Sequence, residues 1–224
     1  LHLVRALPLL WLDILIRRAA TIAICAQLGC TKQVSVPDLG AMPHGPVWPP
    51  APNEPQVSWV GHVDLAAMGV QRPMDVACTR GHQLAIADPD GPAVWTLNLN
   101  TGEYATLQTV DAHRMVSPIG VGWHRGDVVI ADPGAEAIYR TRGPRRRRAT
   151  VLHHGAPMTR PTAVMTLGNE TLLIVDAGGH QLLRMSDTGD GINVESGERG
   201  EVGTGFNFPV DAAVASNGEI FVAD

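Results

Sequence analysis

Four aspartates recur along the chain, Asp88, Asp132, Asp176 and Asp224, at intervals of 44, 44 and 48 residues. If they faced one axis, such carboxylates could hold a cation or move a proton. Their regularity points elsewhere, because a catalytic site breaks the symmetry of a repeat. An aspartate at a strand-to-loop junction accepts hydrogen bonds from the backbone donors of the turn that follows, and that is the duty expected here. Among nine histidines only His153–His154 are adjacent. Neighbouring strand residues point to opposite faces, so this pair does not read as one metal site. Arg140, Arg142 and Arg145 to Arg148 are the only charge run, expected in a solvated turn where they could also attract anionic headgroups. Cys78 reads as a small buried hydrophobe. No G-x-S-x-G, P-loop or dinucleotide-binding glycine motif occurs in the required context.

The elements that position these residues repeat with them. A proline leads each aspartate: Pro73, Pro118, Pro161 and Pro209. After each proline a short strand is expected, then a turn at Gly81-His82, Arg125-Gly126, Gly168-Asn169 or Asn217-Gly218. A second, β-rich strand runs into the aspartate. In the first unit Ala93 to Asn98 and Tyr104 to Val110 supply a third and a fourth strand. Four short antiparallel strands repeating every 40–50 residues define a propeller blade rather than a helical repeat.

The chain has 224 residues, 45% hydrophobic and 17% charged, with a net charge of -5. That excludes global disorder and argues against a nucleic-acid partner. Three cysteines, Cys25, Cys30 and Cys78, cannot make a disulfide framework. Residues 1–30 read as a helical signal segment, with Arg17-Arg18 before the apolar stretch from Ala19 to Leu28. Residues 31–55 carry seven prolines and read as an extended spacer. Residues 56–224 hold the repeats, beginning with Gln56 to Gly61 as a fourth strand that has no blade of its own.

The proline-led strand and the Ile-Ala-Asp or Val-Ala-Asp end of the second strand resemble the NHL repeat. The layout resembles bacterial six-bladed propeller lipoproteins, although Asp88 and Asp132 are followed by proline, a departure from the pattern. Leu28-Gly29-Cys30 resembles the end of a lipoprotein signal, which implies lipidation at Cys30, export, and anchoring at the outer membrane facing the periplasm. The fold expected is an all-β propeller of about three and a half blades, a C-terminally truncated part of a closed ring. The function expected is a binding or scaffold module for a protein or small ligand at the channel mouth. Arg72, Ser117, Arg160 and Phe208, each just before a blade's proline, are the ligand-surface candidates. No catalytic residue, metal ligand or cofactor is expected under that reading. The alternative is an enzyme. Lactone hydrolases of related form place a divalent ion on Glu, Asn and Asp, for which Glu103, Asn169, Asp187 and Asp190 have suitable chemistry. Related propeller lyases use a histidine-rich metal centre, whose motifs this chain lacks.

Overall fold

The computed structural model describes residues 2–6, 32–38, 47–48, 57–111, 113–142, 148–200 and 205–224. The first blade is an antiparallel sheet of Asp75–Cys78, Gln83–Asp88, Ala93–Asn98 and Glu103–Leu107. The second contains Gly120–His124, Asp127–Asp132, Ala137–Arg142 and Arg148–His154, and the third Pro161–Gly168, Thr171–Asp176, Gln181–Ser186 and Asn193–Ser196. Asp211–Val214 and Ile220–Ala223 pair as the first two strands of a fourth. The protein is therefore all-β, with blades laid side by side as in a propeller. Among the described residues the one helix is the single turn Leu65–Met68, so none is long and apolar enough to cross a membrane.

The second strands explain why the blades must be neighbours. Leu84-Ala85-Ile86-Ala87, Val128-Val129-Ile130-Ala131 and Leu172-Leu173-Ile174-Val175 are continuous apolar runs, buried throughout. A strand alternates its side chains between two faces, so an all-apolar strand needs cover on both. Ala85 and Ala87 pack with Val128 and Ile130, between the first and second blades. Val129 and Ala131 face the other way and meet Leu172 and Ile174 of the third. Leu173 and Val175 then meet Ala212 and Val222 of the fourth. At the axis the inner strands approach closely: a Cβ on Gly122 would lie 2.4 Å from the Val164 carbonyl oxygen.

The remaining face of the first blade is covered by its own chain. Leu84, Ile86 and Trp95 pack with Leu65 and Met68 of the helix and with Val34 and Val36. Asp64 caps that helix, accepting from Ala66 N at 3.0 Å and Ala67 N at 3.2 Å. Lys32–Gln33 joins the outer edge of the first blade beside Tyr104 and Glu103. This part of the proline-rich segment is thus extended but docked, where a free spacer was expected. Its anchor is the Val34 N–H donating to the Gly102 carbonyl at 2.8 Å. Gly102 has φ +73°, and a Cβ there would sit 2.1 Å from the Val34 carbonyl oxygen.

Three other expectations are revised. Tyr104 to Val110 is not one strand: the blade's fourth strand ends at Leu107, and Thr109–Val110 crosses to the second sheet, pairing in parallel at Ala149. With His113–Arg114 it extends that sheet to six strands. Secondly, His2–Ala6 is a strand rather than the start of a helix. It pairs with Val57–His62, which also pairs with Val47–Trp48. The strand expected near Gln56 to Gly61 is thus present, and its edges, unclaimed by any of the four blades, are what recruit these partners. Thirdly, Arg140 is not in a turn. It lies in the third strand of the second blade, while Arg145 to Arg147 lie outside the described residues, as does Cys30 with its proposed lipidation.

Candidate functional site

The inner strands of the four units line an open-sided cavity of about 320 Å³. Each inner strand runs from a proline end to a turn end, so the cavity has two chemically different mouths. Toward the proline end it is lined by Asp75 and Asp211, which occupy the same register, two residues after Pro73 and Pro209. At the turn end it is lined by Cys78, Trp123 and Thr166. Cys78 is exposed there, not buried as its apolar context suggested, because the blade's inner strand has one face on the open channel.

Asp75 is held by its neighbours. Its carboxylate accepts from Val76 N at 2.7 Å and, across the blade boundary, from Val121 N at 2.8 Å. Burial pushes its carboxyl above the usual range; the two N–H bonds oppose that, and the charge of Asp211 adds to it. Asp211 accepts from Ala212 N at 2.8 Å.

The turn end carries a chain of polar groups that joins two blades. His124, 1% exposed, ends the second blade's inner strand. Its Nδ1 lies 3.0 Å from Thr166 Oγ1 of the third blade, and its Nε2 lies 3.2 Å from Asp187 Oδ2. The Thr166 hydroxyl is also 2.9 Å from the Trp123 carbonyl. The His124 contact, then Arg125 and Arg140, hold the Asp187 carboxyl below its ordinary value against the opposing effect of burial. Proton counting constrains this chain. Carboxylate and carbonyl at its two ends only accept, so three contacts need three protons. A hydroxyl and a neutral imidazole supply two; a hydroxyl and an imidazolium supply three. With a neutral ring bonded to Asp187, the Thr166 proton must choose between Nδ1 and the Trp123 carbonyl. The arrangement can hold or pass a proton at the channel wall.

The repeat aspartates do different work. Asp88, Asp132 and Asp176 are fully buried. Each accepts from the two backbone N–H groups that precede its own blade's proline: Gln71 and Arg72 at 2.8 and 3.0 Å, Val116 and Ser117 at 2.8 and 2.9 Å, Thr159 and Arg160 at 3.2 and 2.6 Å. Asp224 accepts from Asn207 N, at 2.8 and 2.9 Å to its two oxygens. The structural reading holds, with a shift in detail. The main donors lie 15 to 17 residues upstream rather than in the following turn, whose Gly91 and Ala135 N–H groups add longer bonds. For Asp88, burial works to raise the carboxyl, but bonds from Gln71, Arg72 and Gly91 outweigh it and hold it low.

These clamps fix the loops that carry Arg72, Ser117, Arg160 and Phe208. Arg72 is exposed and reaches Asp90 at 2.7 Å, Arg160 is exposed, and Ser117 is half-buried. Phe208 adopts φ +82° and lays its ring against His180, centroids 4.5 Å apart. The four therefore sit at the proline end of the sheets. Glu103, Asn169, Asp187 and Asp190 are not brought together as a set: Glu103 lies on the outer strand of the first blade and the others at the turn end of the third. Among the described residues no three His, Cys, Asp or Glu side chains group as a metal would require. His153 contacts the Ala156 carbonyl, 3.0 Å from its Nε2. Sequence reasoning missed His124, Thr166, Asp75 and Asp211. For the two aspartates a signal existed, since both follow a repeat proline by two residues. His124 and Asp187 are 63 residues apart and carried none.

No family model and no curated protein matches the chain. Solved structures do resemble it. A protein of unknown function from Bacteroides thetaiotaomicron aligns at TM-score 0.54 and 10% identity, over 66% of this chain and 41% of that one. A streptogramin B lyase aligns at TM-score 0.52 and 14% identity, over 67% and 47%. The hydrazine synthase of Kuenenia stuttgartiensis aligns at TM-score 0.51 and 12% identity, over 65% and 40%. These similarities define the class: the chain is a β-propeller. It spans less than half the length of each of these neighbours.

Proposed function

We propose that this propeller is a binding module of the bacterial cell envelope, of NHL type and from a six-bladed ring, exported, lipid-anchored at Cys30 and facing the periplasm at the outer membrane. The observation that carries the binding reading is the construction of the channel. An aspartate at the same repeat position fixes each entry loop, buried in the first three units and exposed in the fourth, while the residue displayed there changes from Arg72 to Ser117 to Arg160 to Phe208. A rigid frame with variable positions at its mouth suits recognition of a small ligand or a protein segment. Amide exchange on the folded chain, with and without a mixed library of amines, acids, sugars and peptides, tests it. Slowed exchange in Asp75–Cys78 and Gly120–His124 supports the reading; no slowing with any compound refutes it. Palmitate incorporation that disappears in Cys30→Ser tests the anchor.

A second reading is favoured by the Thr166–His124–Asp187 chain. A hydroxyl, an imidazole and a carboxylate in hydrogen-bond reach are the parts of acid–base chemistry, and a lyase is among the proteins of similar fold. A metal-dependent lactonase or lyase would show divalent-ion-dependent turnover of a lactone, abolished in His124→Gln.

A further inference from the structure

The two ends of the axial cavity define what it can hold. Among its described lining residues there is no lysine, arginine or histidine, and there are two aspartates, Asp75 and Asp211, contributed by the first and fourth units. Three residues further along the first blade's inner strand lies the turn end, about 10 Å away at roughly 3.3 Å per residue. There Thr166 presents a hydroxyl oxygen that His124 and the Trp123 carbonyl hold in place. The side chains between include the apolar Val76, Val164 and Met165. Trp123 stands among them with its indole N–H fixed on the Ala77 carbonyl at 3.0 Å, which sets its ring orientation.

We infer that the cavity is a site for an elongated organic amine, whose ammonium lies between Asp75 and Asp211 and whose far end carries a hydroxyl or N–H group bonded to Thr166. The inference rests on the binding reading and gives it a ligand class. Charge selects the amine, because burying an ammonium against two carboxylates is favourable where a carboxylate ligand would meet only like charge. Length selects the second polar group, which must reach Thr166 from the aspartates. His124 is a positioning residue: it fixes the hydroxyl without meeting the ligand.

Three probes of similar size separate the parts. Tyramine has an ammonium and a far hydroxyl, phenethylamine lacks the hydroxyl, and 3-(4-hydroxyphenyl)propionate replaces the ammonium by a carboxylate. They are titrated into the isotope-labelled full chain while the amide signals of Val121, Trp123 and Ala212 are followed. Tyramine is expected to bind about 3- to 10-fold more tightly than phenethylamine, the range of one hydrogen bond, and the propionate not to shift these signals. Thr166→Val is expected to erase the difference between the two amines and leave phenethylamine unchanged. Asp211→Asn is expected to weaken both amines and leave their ratio intact. Because Thr166→Val is read as a ratio of probes, general loss of folding cannot imitate its result; for Asp211→Asn, an amide spectrum that matches the wild type before any probe is added excludes it. If the propionate binds as well as tyramine, or Thr166→Val preserves the tyramine preference, the inference is overturned while the channel remains a binding site. If none of the three binds, the inference fails; the binding reading then falls as well only if the wider library also leaves exchange unchanged.

Discussion

Replacing Asp132 with alanine isolates the device that holds each blade's entry loop. Its carboxylate is fully buried and accepts short bonds from Val116 N and Ser117 N, with a longer one from Ala135 N. Hydrogen bonds to a charged group contribute about 1.5–3 kcal/mol each, and removing the acceptor leaves buried donors without a partner. Two such bonds, partly replaced by water entering the space, put the loss at about 3–5 kcal/mol. For a chain of this size that lowers Tm by roughly 10 °C. Asp224 supplies the control, because it makes the equivalent contact to Asn207 but is exposed, so water can take over its role. Asp224→Ala should cost less than about 1 kcal/mol. Urea unfolding followed by circular dichroism reads both, with the slope unchanged if the native and denatured states keep their compactness. Equal costs for the two variants, or a loss below about 1 kcal/mol for Asp132→Ala, would refute the reasoning.

Other outcomes follow from the same geometry. Gly102→Ala must put a Cβ into the Val34 carbonyl at positive φ, so residues 32–38 should detach and become protease-sensitive, at a cost of at least ~2 kcal/mol. Arg140→Met removes the link between Asp127 and Asp187, both largely shielded, and should cost about 2 kcal/mol by urea unfolding. The exposed Arg184–Glu195 pair should be worth less than about 1 kcal/mol, and Arg184→Ala measures it. Asp88 and Asp75 predict opposite slopes with pH. Asp88 is held below its unfolded value, so its contribution is present above that value and is lost as pH falls through the folded one. Asp75 is raised, so folding favours its protonated form, and stability declines as pH rises from the unfolded value through the folded one. Unfolding between pH 3 and 7 should therefore be less acid-sensitive in Asp88→Asn and more acid-sensitive in Asp75→Asn than in the wild type.

The blades were legible because their causes are local. A proline, a turn residue and an all-apolar second strand recur with each aspartate, and Ala93–Asn98 follows from the same pattern with its observed bounds. What escaped was set by contacts distant in sequence. Thr109–Val110 has the β-favouring content of the preceding strand, and only the free edge of Arg148–His154 draws it to the second blade. The docking of Lys32–Gln33 depends on Gly102, some 70 residues away, offering its carbonyl and no side chain. At the site, the four residues before the prolines could be located from the repeat. The Thr166–His124–Asp187 chain could not, because it forms where two blades meet and no one repeat contains it.

The central claim is that the four units curve around a shared axis, so that the first and the fourth face one cavity. Spin labels at Val76→Cys and Val210→Cys, with the native cysteines removed, measure it by electron–electron dipolar spectroscopy, both positions being exposed. Curved packing predicts a distance centred below about 20 Å, whereas sheets stacked in a straight line at ~10 Å spacing place the same two positions roughly 30 Å or more apart. The shorter distance supports the propeller; the longer one contradicts it.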